Sequence, residues 1–302
     1  MIDFLIYLLT IIGIWGLLSL SLNVQFGLTG LINLGHIVFF MVGAYTSTIL
    51  VMFAGWPMAL GWIAAMVVAA LVGVLMTLPT ATLRQDYWAI SSLAFAEVIR
   101  FIFKNTPIQG DYIGASFGVP DIPQPLGDVL TTDQFYLFFL VLTLVLVAAV
   151  YAVVEWVTRS PFGRVLKAIR EDDHVALALG KNVRSIRMRS MALGGAIGGL
   201  AGAMFAHYNA FIQPNYFLPL ETFLVWAMLL LGGKGNHVGA LVGAVVIQLL
   251  YNSTRFLKDL VEIDQGLLSS GRMIVIGVLI ILVVLYMPNG LVPERRRRYA
   301  RQ

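Results

Sequence analysis

Cysteine is absent from the 302 residues, which excludes disulfides and thiolate metal sites. Charge is scarce: Asp, Glu, Lys and Arg make up 12% of the chain, against about 25% in a soluble domain. No HExxH and no GxSxG occurs, and "GGKG" at 232–235 lacks the GxxxxGK[ST] spacing of a phosphate loop. The four histidines stand apart, at 36, 174, 207 and 237. Enzyme chemistry therefore has no nucleophile or metal set to rest on, and neither a metal nor a cofactor is expected. An isolated histidine such as His36 or His207 reads as a hydrogen-bonded packing residue, and Lys234 and His237 read as cytoplasmic-end anchors.

Apolar residues dominate instead, at 59% with a mean hydropathy of +0.85. Long apolar runs recur at 4–22, 37–54, 58–79, 87–104, 134–157, 189–211, 217–232, 237–254 and 271–288. At a rise of about 1.5 Å per residue each run is near the length that crosses a hydrocarbon core of about 30 Å. No period-2 alternation suggests a barrel, so the spans are helices. The N-terminal run lacks a basic n-region and a small-residue cleavage site, and is expected to be a retained first span.

Lys and Arg set the orientation. Residues 159–190 hold eight of them, and the tail "PERRRRYARQ" (293–302) holds five Arg. Clustering of this kind at span ends reads as cytoplasmic topology, not as nucleic-acid binding. Four runs separate the two basic segments, as two same-side segments require. The 105–133 loop carries Asp111, Asp121, Asp128 and Asp133 but no Lys or Arg, which suits the outside. The expectation is an all-α polytopic membrane protein with about nine transmembrane helices, eight to ten, since 217–232 is either a short span or re-entrant. The N-terminus is outside and the C-terminus cytoplasmic. One transmembrane domain fills 1–302, with a cytoplasmic loop at 158–188 and a basic tail at 293–302.

Two segments depart from plain spanning helix. "NVQFGLTGLINLGH" (23–36) has three glycines and the polar Asn23, Gln25, Asn33 and His36, but no formal charge. It is either a tight interfacial turn or a pathway element, since broken backbone at membrane depth needs protein or water to satisfy it. "GGAIGGLAG" (194–202) places Gly194, Gly195, Gly198, Gly199 and Gly202 at GxxxG spacing, repeated by Gly239 and Gly243. Small residues let helix backbones approach, within one subunit or at a dimer seam.

The charged interruption is itself patterned. Ser160-Pro161 is a helix start. Phe162, Val165, Leu166 and Ile169 form an apolar stripe, while Arg164, Lys167, Glu171 and His174 line another face. Asp172 or Asp173 can cap a second short helix that Gly180 closes. A lipid anchor would explain the basic residues but not the acids of "EDDH", so the segment reads as a docking element for a cytoplasmic partner. Glu97 and Arg100 are the acid and base well inside an apolar run, about 15 Å from its start near Tyr87. They are expected to face the bundle interior, as a structural pair or as a station on a solute path.

With these segments in view, the chain resembles the LivM-type permease subunits of branched-chain amino acid ABC importers. The resemblance rests on "GLTGLINLGHIVFFMVGAYTS" (27–47), "LRQDYWAISSLAFAEVIR" (83–100), "SPFGRVLKAIREDDHVALALG" (160–180), "GGAIGGLAGAMFA" (194–206) and "LLLGGKGNHVGALVGA" (229–244). It implies a second, LivH-like permease, two cytoplasmic ATPases, a periplasmic solute-binding protein, and residence in a bacterial or archaeal cytoplasmic membrane. It also implies that Arg164, Lys167, Arg170, Glu171, Asp172, Asp173, Ala176 and Gly180 belong to the ATPase-coupling segment. The family's solutes leave urea or short amides open beside branched-chain amino acids. A secondary transporter working alone is the competing class, and ATPase co-purification separates the two.

Overall fold

The computed structural model describes residues 2–80, 83–109, 113–127 and 129–260, together with parts of 271–294. The 271–288 run lies partly, and residues 295–302 of the basic tail wholly, outside the described residues. So do Asp111 and Asp128 of the acidic loop.

Among the described residues, ten α-helices follow the chain: α1 (Ile2–Leu22), α2 (Ile37–Thr48), α3 (Met58–Thr80), α4 (Gln85–Asn105), α5 (Thr132–Arg159), α6 (Pro161–Glu171), α7 (Asp173–Ala178), α8 (Val183–Asn209), α9 (Pro219–Gly232) and α10 (His237–Leu260). Among the described residues four helical stretches, Ile2–Gly27, Met58–Pro79, Thr132–Arg159 and Val183–Asn209, are long and apolar enough to cross a membrane. The molecule is thus an all-α, multi-pass membrane protein. α4, with 21 residues, is nearly as long as the shortest of these, but Asp86, Glu97, Arg100 and Lys104 set it apart. α9, with 14 residues, spans only about 21 Å.

Helix starts follow local chemistry. Thr131 and Gln134 form a reciprocal capping box at α5. Asn182 Oδ1 accepts from the Ser185 N–H at α8, and Pro219 occupies the first turn of α9.

α8 and α1 form the centre. Of their most apolar stretches 78% and 72% are buried, against 28% for α3 and α5. The outer helices point Leu60, Ile63, Leu71, Leu137, Val141 and Val145 away from the protein, as a lipid-facing surface does. The glycines of α8 make the central contacts close. A Cβ on Gly195 or Gly199 would lie 2.6 Å from the Ala69 or Ala65 carbonyl of α3. One on Gly198 would meet Phe39 Cβ at 2.9 Å, and one on Gly202 would strike the Phe40 carbonyl of α2. Gly239 and Gly243 do the same for the α9–α10 crossing, against Gly232 and Met228.

The helix ends sort into two groups. At one end, β1 (Pro107–Gln109) pairs antiparallel with β2 (Ile113–Gly114). The following loop is latched to the end of α8: Val119 and Ile212 exchange backbone hydrogen bonds of 2.8 and 3.2 Å. His207 Nδ1 donates to the Pro123 carbonyl at 2.7 Å. Tyr7, near the start of α1, stacks on Tyr208 at the same end. The opposite end gathers α6, α7, residues 23–36, the 233–236 turn and residues 289–294.

Candidate functional site

α1 does not stop at Leu22. It widens into a π-turn, Asn23–Gly27, a geometry that is rare and concentrated at functional sites. The Leu28 N–H reaches the Asn23 carbonyl at 3.0 Å, and the chain then leaves helix until Ile37. Gly30, with φ 78°, turns it through a conformation that L residues adopt at a cost.

The polar residues of this break are buried: Asn23, Gln25, Asn33 and His36 are all 0% exposed. Buried polar groups need partners; Gln25, Asn33 and His36 supply most of them to one another, while Gln25 Nε2 has no hydrogen-bond partner among the described residues. Asn33 Oδ1 accepts the Gly35 N–H at 3.0 Å, which fixes its amide so that Nδ2 donates to Gln25 Oε1 at 2.9 Å. His36 Nδ1 meets the same oxygen at 3.0 Å, and its Nε2 faces the Leu18 carbonyl at 3.2 Å. Gly194 of α8 leaves room for the amide of Gln25, whose Nε2 would stand 2.5 Å from a Cβ there. Three of the four polar residues singled out in the sequence, Gln25, Asn33 and His36, are thus one connected patch around a broken helix, while Asn23 faces the other way.

Asn23 belongs to a chain that the sequence does not reveal. Its Oδ1 accepts from Gly235 N at 2.9 Å, and its Nδ2 donates to His237 Nδ1 at 2.9 Å. His237 Nε2 then donates to Thr158 Oγ1 at 2.8 Å, and Thr158 donates to the Val154 carbonyl at 2.7 Å. Each donor has one acceptor, which sets the histidine tautomer. His237 is only 3% exposed, so it is an interior link between α1, α5 and α10 instead of a surface anchor.

Glu97 and Arg100 pair on α4. Arg100 Nε and Nη2 hold Glu97 Oε1 and Oε2 at 2.9 and 2.6 Å. The side chains are 35% and 16% exposed. They therefore flank the outward stripe of Ile90, Val98 and Phe101 and do not point into the bundle as the sequence suggested.

The charged interruption forms the two short helices. Ser160 Oγ accepts from Gly163 N at 3.3 Å, and Asp172 Oδ1 accepts from His174 N and Val175 N at 2.9 and 3.2 Å. Gly180 ends the motif at φ 73°. Leu166, Ile169 and Ala176 are buried. Asp173 pairs with Arg187 of α8 at 2.9 Å. Arg164, Glu171, His174 and Gly180 remain exposed, beside exposed Val175, Leu177 and Leu179.

Lys167 and Arg170 turn inward instead. Both reach Glu294, with Lys167 Nζ 2.7 Å from Oε1 and Arg170 Nη2 2.9 Å from Oε2. Arg170 Nη1 also donates to the Gly27 carbonyl at the end of the π-turn. Burial alone would raise the Glu294 pKa, but the Lys167 hydrogen bond and the two cationic charges outweigh it and hold the carboxyl below its ordinary range. Glu294 escaped the sequence reading because it sits among five arginines in a tail that looks like a plain topology signal. The Gly-rich 232–235 turn explains its position: Leu291 N and Val292 N donate to the Leu231 and Gly232 carbonyls at 2.8 and 2.9 Å. A Cβ on Gly233 would collide with Val292 O.

A multi-pass helical bundle, a polar break in its first helix and a charged two-helix projection at one end define the class: a membrane permease. Residues 4–284 match the family described as "Branched-chain amino acid transport system / permease component", and the chain belongs to that family. It is 32% identical to the probable branched-chain amino acid transport permease protein LivM of Methanocaldococcus jannaschii, over 97% of this chain and 94% of that protein. It is 30% identical to the high-affinity branched-chain amino acid transport system permease protein LivM of Escherichia coli, over 95% and 69%. The LivH permease of the same organism is 24% identical over 92% and 90%. No solved structure matches the chain.

Proposed function

We propose that the chain is one of two homologous permease subunits of an ATP-driven importer for branched-chain amino acids. LivM and LivH relatives both match over most of the chain, which supports a LivH-like partner. Two cytoplasmic ATPases supply the energy, so ATP hydrolysis belongs to the partners, and a periplasmic binding protein delivers the solute. The chain spans the cytoplasmic membrane about nine times with its N-terminus outside. Residues 1–302 act as a single permease domain, with the coupling loop at 158–188 and the basic tail at 293–302 in the cytoplasm.

The observation that carries this reading is the two-faced α6–α7 projection. Its inner face is tied to the spans by Leu166, Ile169, Ala176 and the Asp173–Arg187 pair. Its outer face presents Arg164, Glu171, His174 and an apolar strip of Val175, Leu177 and Leu179. A helix pair in water that exposes leucines beside charges is suited to a protein groove. The buried Gln25–Asn33–His36 patch and the Glu97–Arg100 pair are the candidates for the solute path.

Arg164→Glu, Glu171→Lys and Gly180→Val should each weaken ATPase co-purification and vanadate-sensitive uptake of a branched-chain amino acid in proteoliposomes, while the membrane domain still folds. Undiminished ATPase binding and uptake in all three variants would leave the projection as a lipid anchor.

A further inference from the structure

Three features lie outside the functional reading so far: the small polar cleft between Arg84, Gln85 and the α6–α7 turn, the outward face of α4, and the Glu294 cluster. Only in the last do a tail, a loop, a coupling helix and a break in a spanning helix meet at resolved contacts.

We propose that Arg170, held in place by Glu294, is the lever through which α6 moves the broken end of α1. This inference rests on the reading of α6–α7 as the ATPase-docking projection. The carbonyl of Gly27 is left free where the chain leaves the π-turn, because no residue ahead continues the helix. Arg170 fills that vacancy from a helix 143 positions away. Its guanidinium is a planar fork with donors on two sides: one side meets Gly27, the other Glu294 Oε2 at 2.9 Å.

The surroundings are cut to fit. Gly30 packs on the Arg170 stem, whose Cγ would be 3.3 Å from a Cβ there. A Cβ on Gly235 would lie 2.7 Å from Glu294 Oε2 and 2.9 Å from Arg170 Nη1. The π-turn therefore presents bare backbone to the guanidinium, and a shift of α6 is passed to α1 without a flexible side chain on the receiving side. Gln25, two residues before Gly27, sits in the buried polar patch. The path from projection to patch is short and does not run through α5. Lys167 reaches Glu294 but not Gly27, which makes it a restraint on the lever and not part of it. Glu294 and Arg170 are positioning residues in this account.

The test uses the assembled complex of both permeases, the ATPases and the binding protein in proteoliposomes, with uptake of leucine and ATP hydrolysis measured together. Arg170→Met and Glu294→Gln should keep the ATPases bound but lower the uptake per ATP hydrolysed by about fivefold or more, the low end of coupling free energies. Lys167→Met should lower that ratio less than Arg170→Met does. An unchanged ratio in Arg170→Met, or an equal fall in Lys167→Met, would overturn the lever. A role in folding alone would reduce the yield of complex and leave the ratio untouched, which also overturns it. If the unmodified complex binds no ATPase or shows no ATP-driven uptake, it is the underlying importer reading that fails.

Discussion

At the scale of single residues, the Glu97–Arg100 pair shows how position changes the meaning of charge. A charge at a helix centre costs roughly 2.5–3.5 kcal/mol on insertion scales. A bidentate pair cancels much of that, yet Glu97 keeps 35% of its side chain exposed. Lipid is a poor neighbour for such a flank, so this side of α4 is expected to meet water or protein in the assembled transporter. Glu97→Gln should reduce uptake, because it leaves the Arg100 guanidinium without its carboxylate. Loss of one partner of a fully buried pair costs about 3–5 kcal/mol, and partial exposure should bring the present case below that. The double variant Glu97→Gln, Arg100→Met separates two roles. Substantial uptake per assembled complex indicates a pair that only shapes α4; a complex that retains its ATPases but does not transport indicates a place on the solute path. Full activity of either single variant would contradict both roles.

At the scale of elements, α8 is the axis on which α2 and α3 rest, and its glycines set the distance. Gly199 serves two neighbours, since a Cβ there would sit 2.6 Å from both Ala65 O and Ala69 Cβ. Those obstacles are backbone and a short side chain, so relief requires movement of α3 itself. Gly199→Leu should therefore cost at least the roughly 1–3 kcal/mol of an overpacked core, read as a lower midpoint in thermal unfolding of the detergent-solubilised protein. Leu71→Ala, on the outward side of α3 at 62% exposure, should shift the midpoint little. Equal shifts for the two variants would remove α8 from the centre of the fold. The same comparison distinguishes backbone proximity from the lipid-facing surface, where shape is less constrained.

At the scale of the whole molecule, the separation of helix ends has a direct consequence for labelling. The Val119–Ile212 latch gathers the acidic loop and the end of α8 on one side. The Lys167–Glu294 and Arg170–Glu294 pairs gather the projection and the C-terminal segment on the other. A cysteine introduced at Ser185 should react with a membrane-impermeant maleimide only from the cytoplasm, and one at Asp121 only from outside. The absence of native cysteine makes the experiment clean. Reaction of both positions from the same side would overturn the topology.

The sequence by itself determined the helical, membrane-spanning class, the position of most long helices, the cap at Ser160, a second cap at Asp172 or Asp173, and the family. These are written in short windows: apolar runs, capping residues within four positions, and motifs of about a dozen residues or more. It also marked 23–36 as abnormal backbone, because three glycines and no charge fit neither loop nor span. Which side of each element met which neighbour was decided only by the tertiary structure. Lys167 and Arg170 look like surface cations until Glu294, 127 residues beyond Lys167, closes on them. His237 looks like an anchor until Asn23, 214 residues before it, gives it an interior partner. Glu97 looks like an interior residue until the packing of α4 leaves its flank open. A helix's periodicity defines its faces but not their order around the bundle; that order comes from backbone contacts between distant glycines and from hydrogen bonds that no local window contains.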